Sequence, residues 1–468
     1  MSESEEYFMK NKNLDLFETA SIPKAVISNV VPAIISMLMV LIYNLADTFF
    51  IGQTKNAYMV AAVSVATPVF LLFMAIGMLF GIGGTSLISR TLGEQKIEKA
   101  KHISSFCFWS STVIGILGMI LIWIGIDFLC KMIGTSAETI EYVKEYLQIV
   151  ALGVPFLIIS NSFSNIIRAE GKAILAMTGM IIGNLANVVL DPIMILGFGW
   201  NVKGAAIATV IGNMLAAGVY IFYYLSGKSM LSIKLCDFSA KNHIITGVLA
   251  IGIPASLNSM LMSFSNITIN NLMNQYGDMA VAGLGVALKV NMIAVMLLIG
   301  LGTGIQPLLG YCYGAGNRKR FKSVLSFSLI LAVSLSVIMS VICYTCAKPM
   351  VNAFLEDPDA LILGMNFARI LIISGPVIGI LFVITNAIQS MGAAIPSLIL
   401  SVSRQGLIYI PIVLIFNAMF HTSNILVAAQ PVADYISVFL SIILFIFAYK
   451  KYFSLKEDVT IQADFSPT

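Results

Sequence analysis

Charge is scarce in this chain of 468 residues, because Asp, Glu, Lys and Arg together make up only 11% of it. Soluble domains carry about 25% charged residues, whereas 58% of this chain is hydrophobic. The composition therefore excludes a water-soluble protein and predicts an integral membrane protein. Its long apolar runs suit helices of roughly 20 residues that cross a hydrocarbon core of about 30 Å, rather than alternating barrel strands.

Residues that enzymes commonly use are also scarce. The three histidines, His102, His243 and His421, form no HExxH arrangement, and no GxxxxGK loop is present to hold ATP phosphates. Cys343 and Cys346 form one CxxC pair, which without a second ligand pair indicates packing rather than a metal centre. We therefore predict no enzyme activity and no cofactor, and we expect any transport to be driven by an ion gradient.

Segments of the first half of the chain recur in the second half at an offset of about 221 residues. The sequence AAVSVA at 61–66 recurs as AGLGVA at 282–287, and RAEGKA from Arg168 recurs as QSMGAA from Gln389. Each copy contains six apolar segments, and an even number of spans preserves the orientation of the copies. We predict an all-α integral membrane protein with twelve transmembrane helices in two pseudo-symmetric six-helix bundles.

The positions of the spans also predict domains and topology. The predicted segments are a leader at 1–23, an N-terminal lobe at 24–226, a linker at 227–242, a C-terminal lobe at 243–450 and a tail at 451–468. Segments on the side of the two termini hold nineteen Lys and Arg residues, whereas the opposite side holds four. The positive-inside rule therefore places both termini in the cytoplasm. No basic face with interleaved aromatic residues is present, so we predict no binding of nucleic acid.

Polar residues inside the first, fifth and sixth spans form the predicted site. They are Asp47, Asn184, Asn187, Asp191, Thr209 and Asn213. A carboxylate inside a membrane costs a few kcal/mol unless it is paired or hydrated. Asn184, Asn187 and Asp191 follow i, i+3, i+7 spacing and share one face of a helix. The sequence therefore predicts that three helices of the N-terminal lobe converge on one polar pocket.

Two carboxylates in such a pocket repel each other and are poorly hydrated, so they suit a site that takes up and releases a small cation. That cation is H⁺ or Na⁺, because carboxylate, amide and hydroxyl oxygens also bind hard metal ions. A structural alternative is that Asp47 and Asp191 only hydrogen-bond to neighbouring helices. The repeat argues against it, since the corresponding positions 268–269 and 412–413 hold no acid.

Charged and polar residues also lie in the spans of the C-terminal lobe. Arg404 and Asp434 each lie about ten residues into their helices, and we predict that they form an ion pair. Its role is structural or, alternatively, in substrate contact or gating. Asn266 and Asn270 belong to a stripe along the seventh helix in which an Asn or Met recurs at every fourth residue, and we predict that they line a cleft.

Two motifs resemble those of a known family: NLADTFFIG from Asn44 to Gly52 and NVVLDP from Asn187 to Pro192. With the twelve spans, they make nearly the whole chain similar to the multidrug and toxic compound extrusion family, and most similar to its DinF-like branch of MepA-type export proteins. The resemblance implies a cation site formed by Asp47, Asn187, Asp191 and Thr209. We add Tyr43, Asn184 and Asn213 as supporting residues of the pocket. The resemblance further implies a first helix that bends near Pro32.

The resemblance implies a multidrug antiporter of a bacterial plasma membrane that contributes to antibiotic resistance. It would export lipophilic, mostly cationic xenobiotics by alternating access, in exchange for H⁺ or Na⁺. We expect drugs, organic cations and the lipid bilayer as its partners, and a monomer as its state. The 25 Met and 28 Phe residues suit an adaptable apolar cavity. Two alternatives stay open: a flippase for lipid-linked saccharides, and a membrane-embedded enzyme or lipid-binding scaffold.

Overall fold

A computed structural model describes residues 15–54, 56–133, 135, 138–241, 243–355 and 357–464, except the side chains of residues 48, 57 and 455–464. Part of the predicted leader (residues 1–14) and the end of the predicted tail (residues 465–468) lie outside the described residues.

All regular secondary structure in the described part of the chain is helical. The first half contains α1 (Ile22–Gly52), α2 (Ala57–Gly93), α3 (Ile97–Met132), α4 (Ile140–Ala169), α5 (Ala173–Pro192) and α6 (Asn201–Leu225). The second half contains α7 (Ile244–Met273), α8 (Asp278–Gly314), α9 (Arg318–Thr345), α10 (Ala347–Asn352), α11 (Pro358–Leu371), α12 (Gly375–Ser390), α13 (Ala394–Val402), α14 (Ile410–Phe420) and α15 (Ser423–Asp464). Among the described residues, twelve stretches are long and apolar enough to cross a membrane, which confirms the predicted fold class.

Residues 35–252 form most of one compact unit, the N-terminal unit. Its central helix is α4, which packs against α2, α3 and α6. Leu147, Val150 and Ile158 of this helix belong to a cluster of buried apolar residues in the unit. More than half of the residues of α4 are buried, on all sides of the helix, as a central position requires.

Residues 20–34 and 253–468 form a second compact unit, the C-terminal unit. Within it α8 packs against α9, α11 and α12, and α15 packs against α12. Leu284, Val290 and Phe367 belong to a cluster of buried apolar residues in this unit. Both units are therefore helical bodies with their own apolar cores.

Two helices are shared between the units. α1 belongs to the C-terminal unit up to Ile34 and to the N-terminal unit after it, whereas α7 belongs to the N-terminal unit up to Gly252. Pro32 and Pro254 lie within two residues of these points, inside their helices. Proline removes one backbone hydrogen bond from a helix, so both shared helices are weakened where they change units.

The linker between the repeats is attached to the N-terminal unit through Glu170, which follows α4. The Ser229 hydroxyl donates to its Oε2 (2.9 Å), and the Met230 N–H and the Tyr223 hydroxyl donate to its Oε1. Glu170 is fully buried. Burial raises the pKa of this carboxyl from 4.5 to about 7, although these three hydrogen bonds and the nearby Lys172 oppose the shift.

We expect the attachment of this linker to weaken as pH rises from about 4.5 to 7 and to level off above that. Glu170 binds its proton more tightly when the linker is attached than when it is detached. The free energy of attachment therefore becomes less favourable across this window by about 3 kcal/mol in total. Hydrogen exchange at the Met230 amide, corrected for the intrinsic rate, should therefore accelerate about tenfold per pH unit between about pH 4.5 and 7.

Glu170→Gln should remove this pH dependence, because the amide cannot ionise. Glu98→Gln is the matched control, since Glu98 is exposed and paired with Lys101. A wild-type exchange rate at Met230 that is constant between pH 5 and 7 would contradict the prediction.

Candidate functional site

Helices α5 and α6 approach closely through two glycines. A Cβ atom on Gly183 would lie 2.6 Å from the Gly212 carbonyl oxygen, and one on Gly212 would lie 2.7 Å from the Gly183 carbonyl oxygen. Both distances are too short for any side chain, so small residues are required for this helix contact. The contact places the polar face of α5 directly against α6.

Three of the predicted site residues meet at this contact. In the orientation of the Asn187 amide that satisfies both of its ends, its nitrogen donates to Asp191 Oδ2 (3.2 Å). Its oxygen then accepts from the Thr209 backbone N–H (3.2 Å). In the opposite orientation the amide nitrogen lies 3.3 Å from Thr209 Oγ1. Asn187 therefore connects the Asp191 carboxylate on α5 to α6.

Asp191 is fully buried, and its Oδ1 has no hydrogen-bond partner among the described residues. A buried carboxylate oxygen without a partner is costly, and such atoms in native proteins call for an explanation such as a bound ion or a proton. The helix changes at this point, because α5 ends at Pro192 and a π-helical turn, Ile193–Gly197, follows. Single π-helical turns are frequent at functional sites.

The other carboxylate of the site comes from α1. Asp47 is half-buried and lies close enough to Asp191 for the two carboxylates to interact electrostatically. The Tyr43 and Tyr146 side chains lie within the same range of both carboxylates. The structure therefore groups Asp47 and Asp191 with two tyrosines, one from α1 and one from α4.

A polar cavity adjoins this group and is called here the N-terminal cavity. It offers about 50 Å³ to water-sized molecules, enough for three or four waters. Polar residues in its wall are Tyr43, Ser160, Asn161, Asn184, Asn187, Thr209 and Asn213. The Asn184 Nδ2 is buried and has no partner among the described residues. Phe70, Met74 and Met180 supply apolar surface, so the cavity joins oxygen-rich and apolar walls.

Sequence reasoning missed the contribution of α4, which supplies Tyr146, Ser160 and Asn161. The sequence does contain one signal for the latter two, since the polar run SNSFSN at 160–165 directly follows the apolar run at 149–159. No sequence signal marks Tyr146, because α4 holds several other large residues. Only its spatial neighbours in the folded protein set it apart.

Arg404 and Asp434 lie together in the C-terminal unit. Arg404 Nε is 3.2 Å from Asp434 Oδ1, and only 12% and 3% of the two side chains are exposed. Asn266 is exposed and Asn270 is half-buried on α7. Neither asparagine side chain makes a hydrogen bond within the described residues, so the structure does not connect them to the ion pair.

Two further cations in the C-terminal unit lie over aromatic rings. Lys289 Nζ is 5.6 Å from the centre of the Phe354 ring, and the Arg369 guanidinium is 5.2 Å from the centre of the Tyr344 ring. Attraction between a cation and the ring face stabilises such pairs. Each of these charges therefore has an aromatic partner, although Arg369 Nε is buried with no hydrogen-bond partner among the described residues.

The ligand types of the N-terminal site limit the cation that it can bind. The described residues contain no group of three or more His, Cys, Asp or Glu that could hold a metal ion. Asp47, Asn187, Asp191 and Thr209 offer carboxylate, amide and hydroxyl oxygens. Such oxygens suit a proton or a hard cation such as Na⁺ rather than a transition metal.

Comparisons with known proteins agree with these observations. The MatE family model matches residues 32–193 and 254–415, one match in each copy of the repeat. The chain is 31% identical over 436 residues to the multidrug export protein MepA of Staphylococcus haemolyticus, covering 92% of this chain and 96% of that protein. It is 30% identical over 418 residues to MepA of Staphylococcus aureus strain MSSA476, covering 89% and 92% respectively.

The fold also matches solved structures. A crystal structure of MATE in complex with MaL6 superposes with a TM-score of 0.89 at 23% sequence identity. The match covers 95% of this chain and 99% of that chain. Together these findings confirm the resemblance inferred from the sequence motifs.

Proposed function

Since this chain belongs to the multidrug and toxic compound extrusion family, we propose that it is a multidrug efflux transporter that exchanges lipophilic, mostly cationic small molecules for H⁺ or Na⁺. The observation that carries the proposal is the buried Asp191, whose Oδ1 lacks a partner among the described residues, beside the N-terminal cavity. Asp47 adds a second negative charge within electrostatic range. A polar cavity large enough for water, with two acids nearby, is suited to bind and release a cation.

The chemistry of the walls of the same cavity indicates the class of substrate, and the cavity, which holds three or four waters in this conformation, would have to widen to admit a drug. Negative charge behind a cavity raises the local concentration of cations, which favours cationic organic molecules. Phe70, Met74 and Met180 supply polarisable apolar surface, and methionine side chains adapt to ligands of different shape. Export of several drugs by one site is consistent with this combination.

The proposed mechanism is alternating access. The coupling cation at Asp47 and Asp191 and the drug favour opposite conformations, so uptake of one drives release of the other. Pro32 is the proposed hinge, since α1 changes units two residues after it. Bending α1 at this point would move Asp47 relative to α5. The distribution of Lys and Arg supports a bacterial plasma membrane location with both termini in the cytoplasm, and we propose a monomer.

Purified protein in lipid vesicles tests the function and identifies the coupling ion. We expect an imposed H⁺ gradient or an imposed Na⁺ gradient, but not ATP, to drive ethidium movement, and the effective gradient names the ion. Asp127→Asn is a control for loss of a carboxylate, because Asp127 is exposed and paired with Lys144. Absence of ethidium movement under both gradients, with translocation of a lipid-linked saccharide instead, would overturn the proposal in favour of a flippase.

A further inference from the structure

A second polar cavity lies in the C-terminal unit and is called here the C-terminal cavity. Its walls come from α8, α9, α12, α15 and the π-helical segment Ser403–Tyr409 that joins α13 to α14. Its lining residues Asn291, Val295 and Asp434 are 221 positions after Phe70, Met74 and Asn213, which line the N-terminal cavity. The duplicated fold therefore contains equivalent cavities in its two copies, and their polar groups differ.

The hydrogen bonds of the C-terminal cavity are distributed unevenly between its two charged residues. Asp434 accepts from Arg404 Nε (3.2 Å), Gln430 Nε2 (3.0 Å) and Ser374 Oγ (2.9 Å). Arg404 uses only Nε for hydrogen bonding among the described residues, and its guanidinium lies 5.4 Å from the centre of the Phe382 ring. The carboxylate is therefore satisfied, whereas the two terminal nitrogens of the guanidinium have donors to spare.

Two neutral side chains in the same wall are also without partners. The Ser336 hydroxyl is buried and has no hydrogen-bond partner among the described residues. The Asn291 amide makes no hydrogen bond within the described residues, although it lines the cavity. Buried polar atoms are normally satisfied, so a ligand that accepts hydrogen bonds from Arg404, Asn291 and Ser336 would complete this wall.

The size and shape of the cavity limit that ligand. The cavity offers about 30 Å³ to the centres of water-sized molecules, which is room for the carboxylate of a short-chain acid rather than for a large ligand. Leu298, Ile372 and Ile378 line the rest of it, which suits a short apolar chain. The π-helical segment widens the helix at Arg404, as such segments often do at functional sites.

We propose that the C-terminal cavity binds the carboxylate of a small organic acid, held by the Arg404 guanidinium with Asn291 and Ser336. Arginine suits this role because its planar donors match the two oxygens of a carboxylate. The ion pair has a net charge of zero, so it supplies no excess positive charge to the bound anion. The neighbouring Asp434 carboxylate repels that anion and weakens its binding. This site is separate from the cation site at Asp47 and Asp191, and it does not depend on the proposed export activity.

Binding of butyrate to the full chain in lipid nanodiscs tests the proposal, with butyramide as the neutral control of the same shape. We expect butyrate to raise the thermal unfolding midpoint in a saturable manner at pH 7 and constant ionic strength, and butyramide to have no such effect. Ser336→Ala removes one donor without disturbing the ion pair, and it should weaken butyrate binding about tenfold. Asn291→Leu should abolish binding.

Substitutions of the ion pair separate this site from a purely structural pair. Asp434→Asn should tighten butyrate binding about tenfold, because it removes the neighbouring negative charge, whereas Arg404→Gln should abolish binding. If the ion pair is purely structural, Asp434→Asn should not tighten butyrate binding. If the charge variants fail to fold, Ser336→Ala and Asn291→Leu still decide whether butyrate binds in this cavity. Equal effects of butyrate and butyramide, or wild-type butyrate affinity in Ser336→Ala, would overturn the proposal.

Discussion

Replacement of Asp191 by asparagine is expected to abolish gradient-driven ethidium efflux while leaving the protein folded. Asparagine has nearly the same shape as aspartate, but it cannot bind and release a proton and is a poorer ligand for Na⁺. Asp191 is fully buried, and one of its oxygens has no partner among the described residues. Loss of a buried charge that is costly to hold should not destabilise the fold. Efflux rates in energised vesicles and the thermal unfolding midpoint measure the two effects.

The matched control for this experiment is Asp127→Asn, which removes a carboxylate from an exposed position on α3. Its stability should match that of the wild type, because a surface ion pair contributes little to stability. Its efflux rate should therefore match that of the wild type as well. Asp191→Asn protein that is folded and transports ethidium at the wild-type rate would refute the role of Asp191 in coupling.

Valine in place of Gly212 should have the second large effect, a loss of both stability and transport. The new Cβ would lie 2.7 Å from the Gly183 carbonyl oxygen and 3.3 Å from the Asn187 Cβ. Helices α5 and α6 would have to separate, at a cost of about 1–3 kcal/mol or more. Their separation would also break the contacts between Asn187 and Thr209. Thermal unfolding and vesicle efflux report the two consequences.

Gly218→Val provides the comparison on the same helix. Gly218 is exposed, and a Cβ atom there would meet nothing within 4 Å, so we expect stability within about 0.5 kcal/mol of the wild type. Equal stability and transport in the Gly212→Val and Gly218→Val proteins would show that the close helix contact is not required.

Properties that depend on short stretches of chain could be predicted from the sequence. The length and apolarity of each run are sufficient to predict twelve membrane-crossing helices, because the membrane acts on each segment separately. Helical periodicity likewise puts Asn184, Asn187 and Asp191 on one face of α5, since 3.6 residues complete a turn. The repeat at 221 residues predicted two copies of one fold, and the MatE family matches at 32–193 and 254–415 agree with it.

Other features required the packed molecule. Tyr146 lies within electrostatic range of Asp47 and Asp191 because α4 is the central helix of its unit, which no local pattern indicates. The π-helical segment Ser403–Tyr409 interrupts a span that looks continuous in the sequence.

The chain alone thus specified the membrane location, the number of spans, the duplication and the acids of the first copy. Packing specified which groups remain without partners among the described residues, including Asp191 Oδ1 beside one cavity and Ser336 Oγ in the wall of the other. The physical reason is that helix formation depends on neighbours within a few residues, whereas a hydrogen bond between helices depends on contacts of a few ångströms between residues distant in the chain.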